Sequence, residues 1–355
     1  MYGLRSVNLV IHAGPSALTT LRGAGFDRDC FSALVGASGG PKWLVLSQLD
    51  RVLCEHLLPD RRTPLAMLGS SIGAFRHACF AQRDPVAALE RFETAYIGQA
   101  YEREPMPAEV TAASRRILAV MLGETGRDEI LSNPQLSTYA VAVRSRAAVS
   151  TERRLPLLLG LGAAAIGNAV ARPLLGIFFE RTLFHCGDAH IRFRSLRTRR
   201  VRLDLDNLDA VLLASGSIPL VMSGVSDVAG APPGVYRDGG IVDYHFDFAF
   251  DAGDGLILYP HFFERIVPGW FDKGLPWRRP RPADLDRVVM IAPSADFIAR
   301  LPGGKVPDRS DFRAMATADR QRVWRGVIDA CRPLADELTD LIMTSRLAAR
   351  ATPFP

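Results

Sequence analysis

Residues 31–81 read FSALVGASGGPKWLVLSQLDRVLCEHLLPDRRTPLAMLGSSIGAFRHACFA. Two short apolar runs, at 31–35 and 64–68, each precede a glycine-rich turn, and each turn is followed by apolar residues at helical spacing. Strand, turn and helix repeated in this order predict parallel strands, because a crossover helix returns the chain to the same end of the sheet. The stretch therefore predicts an α/β fold with a mainly parallel central sheet covered by helices on both faces.

Strand and helix signals continue along the rest of the chain and extend this layered pattern. Short apolar or alternating runs predict strands at 4–12, 137–144, 257–259 and 288–291, and a two-stranded hairpin at 191–205. Helical spacing predicts helices from Pro85 to about Tyr101 with Asp84 as N-cap, over 207–214, and over most of 311–347 with an interruption at Pro333. Residues 13–30 are typical of a loop or a short helix.

The composition is that of a folded globular chain with a mild positive excess. Of the 355 residues, 48% are hydrophobic and 23% are charged, so the chain can bury a large core. The formal net charge of +5 weakly favours anionic partners, such as an acidic membrane surface. The sequence contains no motif that reads DNA or RNA, so nucleic acid is not an expected partner.

The cysteines indicate neither a disulfide framework nor a zinc site. Their number is odd and no CxxC or paired Cys/His spacing occurs; they are Cys30, Cys54, Cys79, Cys186 and Cys331. No group of carboxylates has the spacing of a calcium loop, so we expect neither a metal nor another cofactor. Unpaired cysteines suit a reducing compartment, and the N-terminal residues lack the pattern of a signal peptide. We therefore expect a cytoplasmic protein.

The longest apolar stretch, Leu155–Phe179, is interrupted by Asn168, Arg172 and Pro173. The part before these interruptions is shorter than the roughly 20 apolar residues that a membrane-spanning helix needs. This stretch therefore predicts a buried helix or a mobile lid rather than a membrane span.

Two segments contain the pattern G-x-S-x-G, one at 36–40 and the other at 69–73. In this pattern a serine lies on a sharp turn between a strand and a helix, with its hydroxyl exposed at the helix N-terminus, where negative charge is favoured. The first segment ends in Gly39 and Gly40 before a proline, and backbone amides in such a loop can bind an oxyanion. The second segment is followed by a long helix of small residues, so we interpret Ser71 as the nucleophile.

The order of these motifs resembles that of the patatin-like phospholipases, a family of serine acyl-hydrolases. That family has a strand, a G-G-G-x-[KR]-G loop, a helix, a second strand with G-x-S-x-G, and later an aspartate in D-G-[GA]. The matching segments here are Ser38–Trp43, Gly69–Gly73 and Asp238–Gly240, and the similar intervening segments are Arg83–Glu93 and Ala214–Pro219. Ser38 and Trp43 stand where the family has glycine. The resemblance covers about residues 31–245.

The resemblance implies a three-layer catalytic α/β domain at 31–310, with an N-terminal extension at 1–30 and a C-terminal helical segment at 311–355 packed on it. It implies a lipid acyl hydrolase in which Asp238 is the general base for Ser71 and the amides of Gly39 and Gly40 bind the oxyanion. Ser71 Oγ should then lie within hydrogen-bond range of the Asp238 carboxylate. The supporting positions of the motifs are Gly69, Gly73, Lys42, Gly239 and Gly240.

Three alternatives stay open on the residues alone. His245 and His261 follow Ser71 in the chain, so a histidine-assisted triad fits the chain order of the α/β-hydrolases. The same dyad suits a thioesterase or an acyltransferase, because the shape of the pocket selects the acceptor. A non-catalytic lipid-binding protein of the same fold is compatible with Ser38 and Trp43 in the oxyanion loop.

The expected partner is a lipid or another acyl-ester substrate, with peripheral contact to an anionic membrane surface. Two segments are expected near the mouth of the pocket. Leu155–Phe179 is rich in leucine, alanine and glycine, and Trp270–Trp277 carries aromatic residues that are followed by arginines. Arginines also cluster at 192–202, where they indicate either a solvated face or a contact with phosphate head groups.

Overall fold

A ten-stranded sheet forms the centre of the protein in a computed structural model, which describes residues 7–187 and 191–355. A separate two-stranded ribbon lies outside this sheet. In chain order the strands are β1 Leu9–Ala13, β2 Phe31–Gly36, β3 Leu65–Ser70, β4 Leu136–Ser145, β5 Phe179–His185, β6 Arg192–Phe193, β7 Thr198–Arg202, β8 Val225–Ser226, β9 Val235–Asp238, β10 Phe250–Asp251, β11 Leu256–Pro260 and β12 Val288–Pro293.

The strand order across the sheet is β1-β12-β11-β2-β3-β4-β5-β7, and β9 pairs with both β4 and β8. The five strands from β12 to β4 are parallel, whereas β1 runs antiparallel to β12, and β5 and β9 run antiparallel to β4. Central parallel strands are covered on both faces and are therefore apolar throughout; β3 is buried at every position. The predicted α/β class with a mainly parallel sheet is confirmed.

Helices form the layers on either side of this sheet. The α-helices are α1 Pro15–Ala24, α2 Ser47–His56, α3 Ile72–Phe80, α4 Pro85–Ile97, α5 Pro107–Leu122, α6 Gly126–Ser132, α7 Arg154–Val170, α8 Leu175–Phe178, α9 Leu208–Ser215, α10 Ala295–Ala299, α11 Asp311–Ala314, α12 Thr317–Ala330, α13 Arg332–Met343 and α14 Leu347–Arg350. Short 3₁₀ helices lie at Arg28–Cys30, Gly40–Leu46, Ala147–Ser150, Arg172–Leu174, Gly239–Ile241, Trp270–Gly274, Pro282–Leu285 and Pro302–Gly304.

The start of α4 shows how the sequence sets a helix boundary. The Asp84 carboxylate accepts a hydrogen bond of 2.9 Å from the Ala87 N–H, and Pro85 occupies the first helical position, where no N–H is needed. The helix ends at Ile97, before the predicted end near Tyr101, and Gly98 follows it as the C-cap.

The pairing of β4 brings two distant parts of the chain to one point. β3 runs parallel to the first half of β4 and ends with Ser70 opposite Val141. β9 runs antiparallel to the second half of the same strand and ends with Asp238 opposite Ala142. Because Val141 and Ala142 are consecutive residues, the C-terminal ends of β3 and β9 meet. This register places the serine turn after β3 directly beside Asp238.

The prediction of a two-stranded hairpin at 191–205 is wrong. β6 pairs with β10, and β7 pairs in parallel with β5. Phe193 of β6 packs against Phe250 at a ring-centroid distance of 5.5 Å, and the guanidinium of Arg181 lies 4.0 Å from the centre of the Phe193 ring. β6 and β7 therefore do not pair with each other, because each is paired with a strand from another part of the chain.

Within the described residues, the first strand and a C-terminal helix contact the central layers. β1 forms an edge of the sheet beside β12, and α13 packs against α2. The division into an extension, a catalytic domain and a C-terminal segment stays a prediction. The helical interruption predicted at Pro333 lies at Cys331, so that Pro333 falls in the first turn of α13. The strand predicted at 4–12 lies partly outside the described residues, and β1 covers its second half.

The apolar segment 155–179 forms most of α7, the 3₁₀ turn Arg172–Leu174 and α8. One side of α7, with Leu157, Leu161 and Ala164, packs into a second, smaller core that also contains Ile241 and Val242. The opposite side is exposed, so the helix is half-buried rather than buried. In the two ranges that the structure describes, no helix has both the length and the apolar character needed to cross a membrane.

Candidate active site

Ser71 lies in a strained turn between β3 and α3. Its φ of 54° and ψ of −126° form a conformation that costs a residue other than glycine about 1–3 kcal/mol. Glycines allow the surrounding chain to approach: a Cβ on Gly73 would lie 2.1 Å from the carbonyl oxygen of Gly36, and one on Gly69 would lie 2.5 Å from the Ala74 nitrogen. The turn thus holds the serine hydroxyl at the C-terminal end of the parallel strands, where the G-x-S-x-G pattern predicts it.

The Ser71 hydroxyl donates a hydrogen bond of 2.9 Å to Oδ2 of Asp238. This distance lies within the range expected from the sequence. Asp238 is only 6% exposed, and its second oxygen accepts a hydrogen bond of 2.7 Å from the Gly240 N–H. Burial raises the pKa of Asp238 to about 6, although the hydrogen bonds from Gly240 and Ser71 oppose this rise. A carboxylate with a pKa near neutrality can accept a proton from Ser71 and later return it.

The two glycines after Asp238 are required by close packing. A Cβ on Gly239 would lie 2.2 Å from the carbonyl oxygen of Val141, and one on Gly240 would lie 2.6 Å from Ser38 Oγ. The D-G-G motif therefore lets the turn pack closely against β4 and the loop that follows β2, and the Gly240 amide orients the carboxylate.

A buried serine on α9 holds the backbone of the nucleophile. The Ser71 N–H donates to Ser215 Oγ at 2.9 Å, and the Ser215 hydroxyl donates to the carbonyl oxygen of Val141 at 2.7 Å. The sequence singles out 214–219 as similar to the family but gives Ser215 no role, because its partner lies 144 residues away in the chain. Since the Ser71 amide is engaged in this bond, the oxyanion donors have to come from elsewhere.

Gly39 and Gly40 line the same small pocket as Ser71 and Asp238. Gly40 has a φ of +56°, which favours glycine, and a Cβ on Gly39 would lie 2.6 Å from the ring of Phe262. Within residues 7–187 and 191–355, neither glycine amide donates a hydrogen bond to a protein acceptor. Both amides are thus free to donate to an oxyanion beside Ser71.

The two departures from the family's glycine loop are explained by other contacts. The Ser38 N–H donates to the carbonyl oxygen of Tyr244 at 2.7 Å, and its hydroxyl donates to Ser70 Oγ at 2.9 Å. Trp43 is fully buried and stacks on Phe92 with ring centroids 4.5 Å apart. Of the two G-x-S-x-G serines, therefore, only Ser71 is hydrogen bonded to the buried carboxylate.

Three positive side chains, Lys42, Lys273 and Arg309, line the dyad pocket. In the described part of the chain none of them forms an ion pair, and Asp308 pairs with Lys305 at 3.1 Å instead. Burial lowers the pKa of Lys42. Loss of solvent around the Lys273 ammonium, together with repulsion from Arg309 and Lys42, lowers the pKa of Lys273 to about 8, although the residue as a whole is exposed.

These cations form a positive rim. Asp308 attracts Lys42 and Asp238 attracts Lys273, but neither carboxylate forms a direct ion pair with the rim in the described part of the chain. The rim therefore suits an anionic group of a ligand. The sequence predicts a supporting role for Lys42 through its motif. Lys273 falls in the aromatic and basic segment 268–282, but no pattern singles it out. Arg309 lies far from every motif and carries no signal in the sequence.

A groove of about 1080 Å³ opens beside Ser71; one part of its lining is apolar, and another part is charged and includes Glu102, Arg309 and Arg320. Its walls include Ile72 and Phe75 on α3, Ile117 on α5, and Met222. A groove of this size matches the cavities that bind drug-sized apolar ligands. Of the two segments expected near the pocket mouth, the 3₁₀ helix Trp270–Gly274 borders the dyad through Trp270, whereas α7 contributes no residue to this pocket or groove.

Among the residues that the structure describes, no imidazole is hydrogen bonded to Ser71 or Asp238. His245 Nδ1 accepts from the Val267 N–H at 3.0 Å. His261 Nδ1 contacts both the carbonyl oxygen and the N–H of Phe263. Burial lowers the pKa of His245 well below its ordinary value and that of His261 to about 4, so both rings are neutral near pH 7. The geometry supports the two-residue arrangement rather than the histidine-assisted triad.

Other candidate features of the sequence lie away from the dyad. In the 192–202 cluster, Arg194 pairs with Asp284 at 2.7 Å and Arg199 lies 3.8 Å from Glu180. Throughout the described ranges no three His, Cys, Asp or Glu side chains are grouped so that they could hold a metal ion. The expectation of neither a metal nor a cofactor stays a prediction.

In comparisons with known proteins, no family model matches the chain and no curated protein matches it significantly. The likeness to the patatin-like phospholipases therefore rests on the motifs and on the geometry described above.

Proposed function

We propose that this protein hydrolyses the carboxylic ester of a lipid, with Ser71 as nucleophile and Asp238 as general base. The observation that carries this proposal is the strained Ser71 turn, whose hydroxyl donates to a buried carboxylate at 2.9 Å. The groove beside it has the size for an acyl chain, and the part lined by Ile72, Phe75, Ile117 and Met222 is apolar. The five cysteines are free thiols, which suits the cytoplasmic location expected from the sequence.

In the proposed reaction, Asp238 accepts the Ser71 proton while Ser71 Oγ attacks the ester carbonyl carbon. The carbonyl oxygen becomes an oxyanion, to which the Gly39 and Gly40 amides donate; one such donor typically contributes about 10²–10³ in rate. The tetrahedral intermediate collapses, the C–O bond to the alcohol breaks, and Asp238 returns the proton to the leaving oxygen. Water then attacks the acyl-serine with Asp238 again as base, which releases the carboxylic acid and restores Ser71.

The surroundings of the dyad suggest how the ester is oriented. The groove of Ile72, Phe75 and Ile117 would hold the acyl chain. The rim formed by Lys42, Lys273 and Arg309 would face the alcohol side and favour an alcohol that carries a negative charge, such as a phosphate. We therefore propose an anionic lipid ester as the preferred substrate class.

The test compares Ser71→Ala with Ser38→Ala in turnover of p-nitrophenyl esters of increasing acyl-chain length. Ser71→Ala should abolish turnover, because it removes the nucleophile. Ser38→Ala should keep most of the activity, because Ser38 contacts Ser70 and not the carboxylate. The wild type should prefer longer chains, which fill more of the groove.

Each result separates the proposal from its competitors. Loss of activity in Ser38→Ala and not in Ser71→Ala would reverse the roles of the two serines. Absence of turnover of any ester by the wild type would favour a non-catalytic lipid-binding protein. A parallel series of acyl thioesters, with and without an alcohol acceptor, separates a hydrolase from a thioesterase or an acyltransferase.

A further inference from the structure

One side of α7 presents a row of large apolar side chains to solvent. Leu155, Leu158, Leu159, Ile166 and Val170 are between 42% and 76% exposed, and their spacing places them on one face of the helix. The opposite face packs into the core, so this helix is apolar on both sides. We call these five residues the α7 face. A helix that is apolar all round is normally covered on every side, by protein or by lipid.

The charges at the start of α7 are mainly positive, since the adjacent Glu152 already pairs with Arg237 at 2.7 Å. From residue 153 to residue 179 the chain contains no Asp or Glu, and the exposed arginines Arg153 and Arg154 begin the helix. Near its other end, Arg278 donates to the carbonyl oxygen of Asn168 at 2.9 Å and lies 3.6 Å from the buried Asp272 carboxylate. The neighbouring Trp277 is 69% exposed. An apolar face flanked by arginines and an exposed tryptophan has the composition of a helix that lies in a membrane interface.

A buried carboxylate attaches this helix to the rim of the dyad pocket. Asp272, in the 3₁₀ helix Trp270–Gly274, accepts hydrogen bonds from Asn168 Nδ2 at 2.7 Å and from Arg172 Nη1 at 2.8 Å. The neighbouring Trp270 and Lys273 line the pocket that contains the dyad. The turn beside the pocket mouth is thus hydrogen bonded, through Asp272, to the buried side of α7.

We infer that the α7 face docks on the surface of an anionic lipid bilayer, where its apolar side chains enter the acyl boundary and the flanking arginines contact the lipid head groups. A second copy of the chain is the other occupant with suitable chemistry. In a two-fold symmetric dimer, however, the α7 face of one copy would contact the α7 face of the other. Arg153 and Arg154 would then lie near like charges, because residues 153–179 contain no carboxylate and the adjacent Glu152 already pairs with Arg237. Anionic lipid provides the missing negative charge.

This inference does not depend on the proposed reaction, so the test uses a background that cannot form an acyl-serine. Ser71→Ala protein is sedimented with phosphatidylcholine vesicles that contain either no phosphatidylglycerol or equal parts of it. We expect binding to the anionic vesicles that weakens as salt is added. Leu159→Gln with Ile166→Gln should lower the partition coefficient about tenfold or more, since two large apolar side chains lose their burial in lipid.

Met343→Gln is the matched control, because Met343 on α13 is as exposed as Ile166 but lies outside the α7 face. It should leave vesicle binding unchanged. Both substituted positions of the double variant are exposed, and an unchanged thermal unfolding midpoint verifies that it folds. Equal vesicle binding by the double variant and its parent would overturn the inference. Sedimentation that reveals a dimer abolished by the same two substitutions, without binding to vesicles, would assign the face to self-association instead.

Discussion

Replacing Asp238 by asparagine separates the chemistry of the carboxylate from its place in the fold. The new side chain has nearly the same size, and its amide oxygen can still accept a hydrogen bond from the Gly240 N–H. It cannot accept the Ser71 proton. We therefore expect Asp238→Asn to lower kcat for ester hydrolysis by about 10²–10⁴-fold, the usual contribution of a positioned general base. In the wild type, kcat/KM should fall as the pH drops below about 6, because protonation of Asp238 removes the base.

The same substitution should stabilise the fold above pH 6. Burial raises the pKa of Asp238 from its ordinary 3.8 to about 6, so the ionised carboxylate is less favourable in the folded than in the unfolded chain. At 1.36 kcal/mol per pH unit, this difference corresponds to about 3 kcal/mol. The neutral carboxyl's contribution to stability is fully present below about pH 3.8 and is lost as the pH rises through 6. Asparagine stays neutral and avoids this loss.

Urea unfolding of the wild type and Asp238→Asn at pH 4 and pH 8 measures the effect. The change in the free energy of unfolding caused by the substitution should be about 3 kcal/mol more stabilising at pH 8 than at pH 4. Asp254→Asn is the control, because Asp254 is fully exposed and should show no comparable pH dependence. The same change at both pH values would refute the argument from burial, and an unchanged kcat would refute the role of general base.

Two further predictions concern the packing of the turn and the positive rim. Gly73→Ala should lower the free energy of unfolding by about 1–3 kcal/mol, because its Cβ would lie 2.1 Å from the Gly36 carbonyl oxygen; urea unfolding should show that Gly23→Ala, whose Cβ meets no atom within 4 Å, does not destabilise. Lys273→Gln should reduce kcat/KM about tenfold for a monoacylglycerol phosphate and leave the uncharged monoacylglycerol unaffected. Arg22→Gln removes the same charge far from the pocket, and an equal loss on both esters in Lys273→Gln would refute an anion-binding role.

The local features of this protein follow from short stretches of its sequence. The order of strand, turn and helix in residues 31–81 predicts the central parallel pairing. The spacing of apolar residues and the positions of the glycines that signal each element can be read from neighbouring residues alone. The start of α4 is likewise encoded in adjacent residues, Asp84 and Pro85. The candidate dyad could be predicted as well, since Ser71 and Asp238 each lie in a glycine motif that a tight turn requires.

Other features depend on contacts between residues far apart in the chain, which no local pattern encodes. The sequence favours Ser71 over Ser38 through the helix that follows it, but the contact itself depends on the fold: the register of β3 and β9 along β4 brings Ser71 to a carboxylate 167 residues away. The bond from the Ser71 amide to Ser215 and the position of Arg309 over the pocket arise in the same way.

The exposed side of α7 and the incorrect prediction of a hairpin at 191–205 show that the sequence also leaves the tertiary partners of whole helices and strands undetermined. Every residue of α7 between Leu155 and Val170 is uncharged, so the sequence cannot distinguish its buried face from its open one. β6 and β7 have strand-like composition, but the ring of Phe250 and the ladder along β5 determine their partners. Local sequence sets the backbone conformation through short-range sterics and periodicity, whereas burial and pairing depend on which distant surfaces the folded chain brings together.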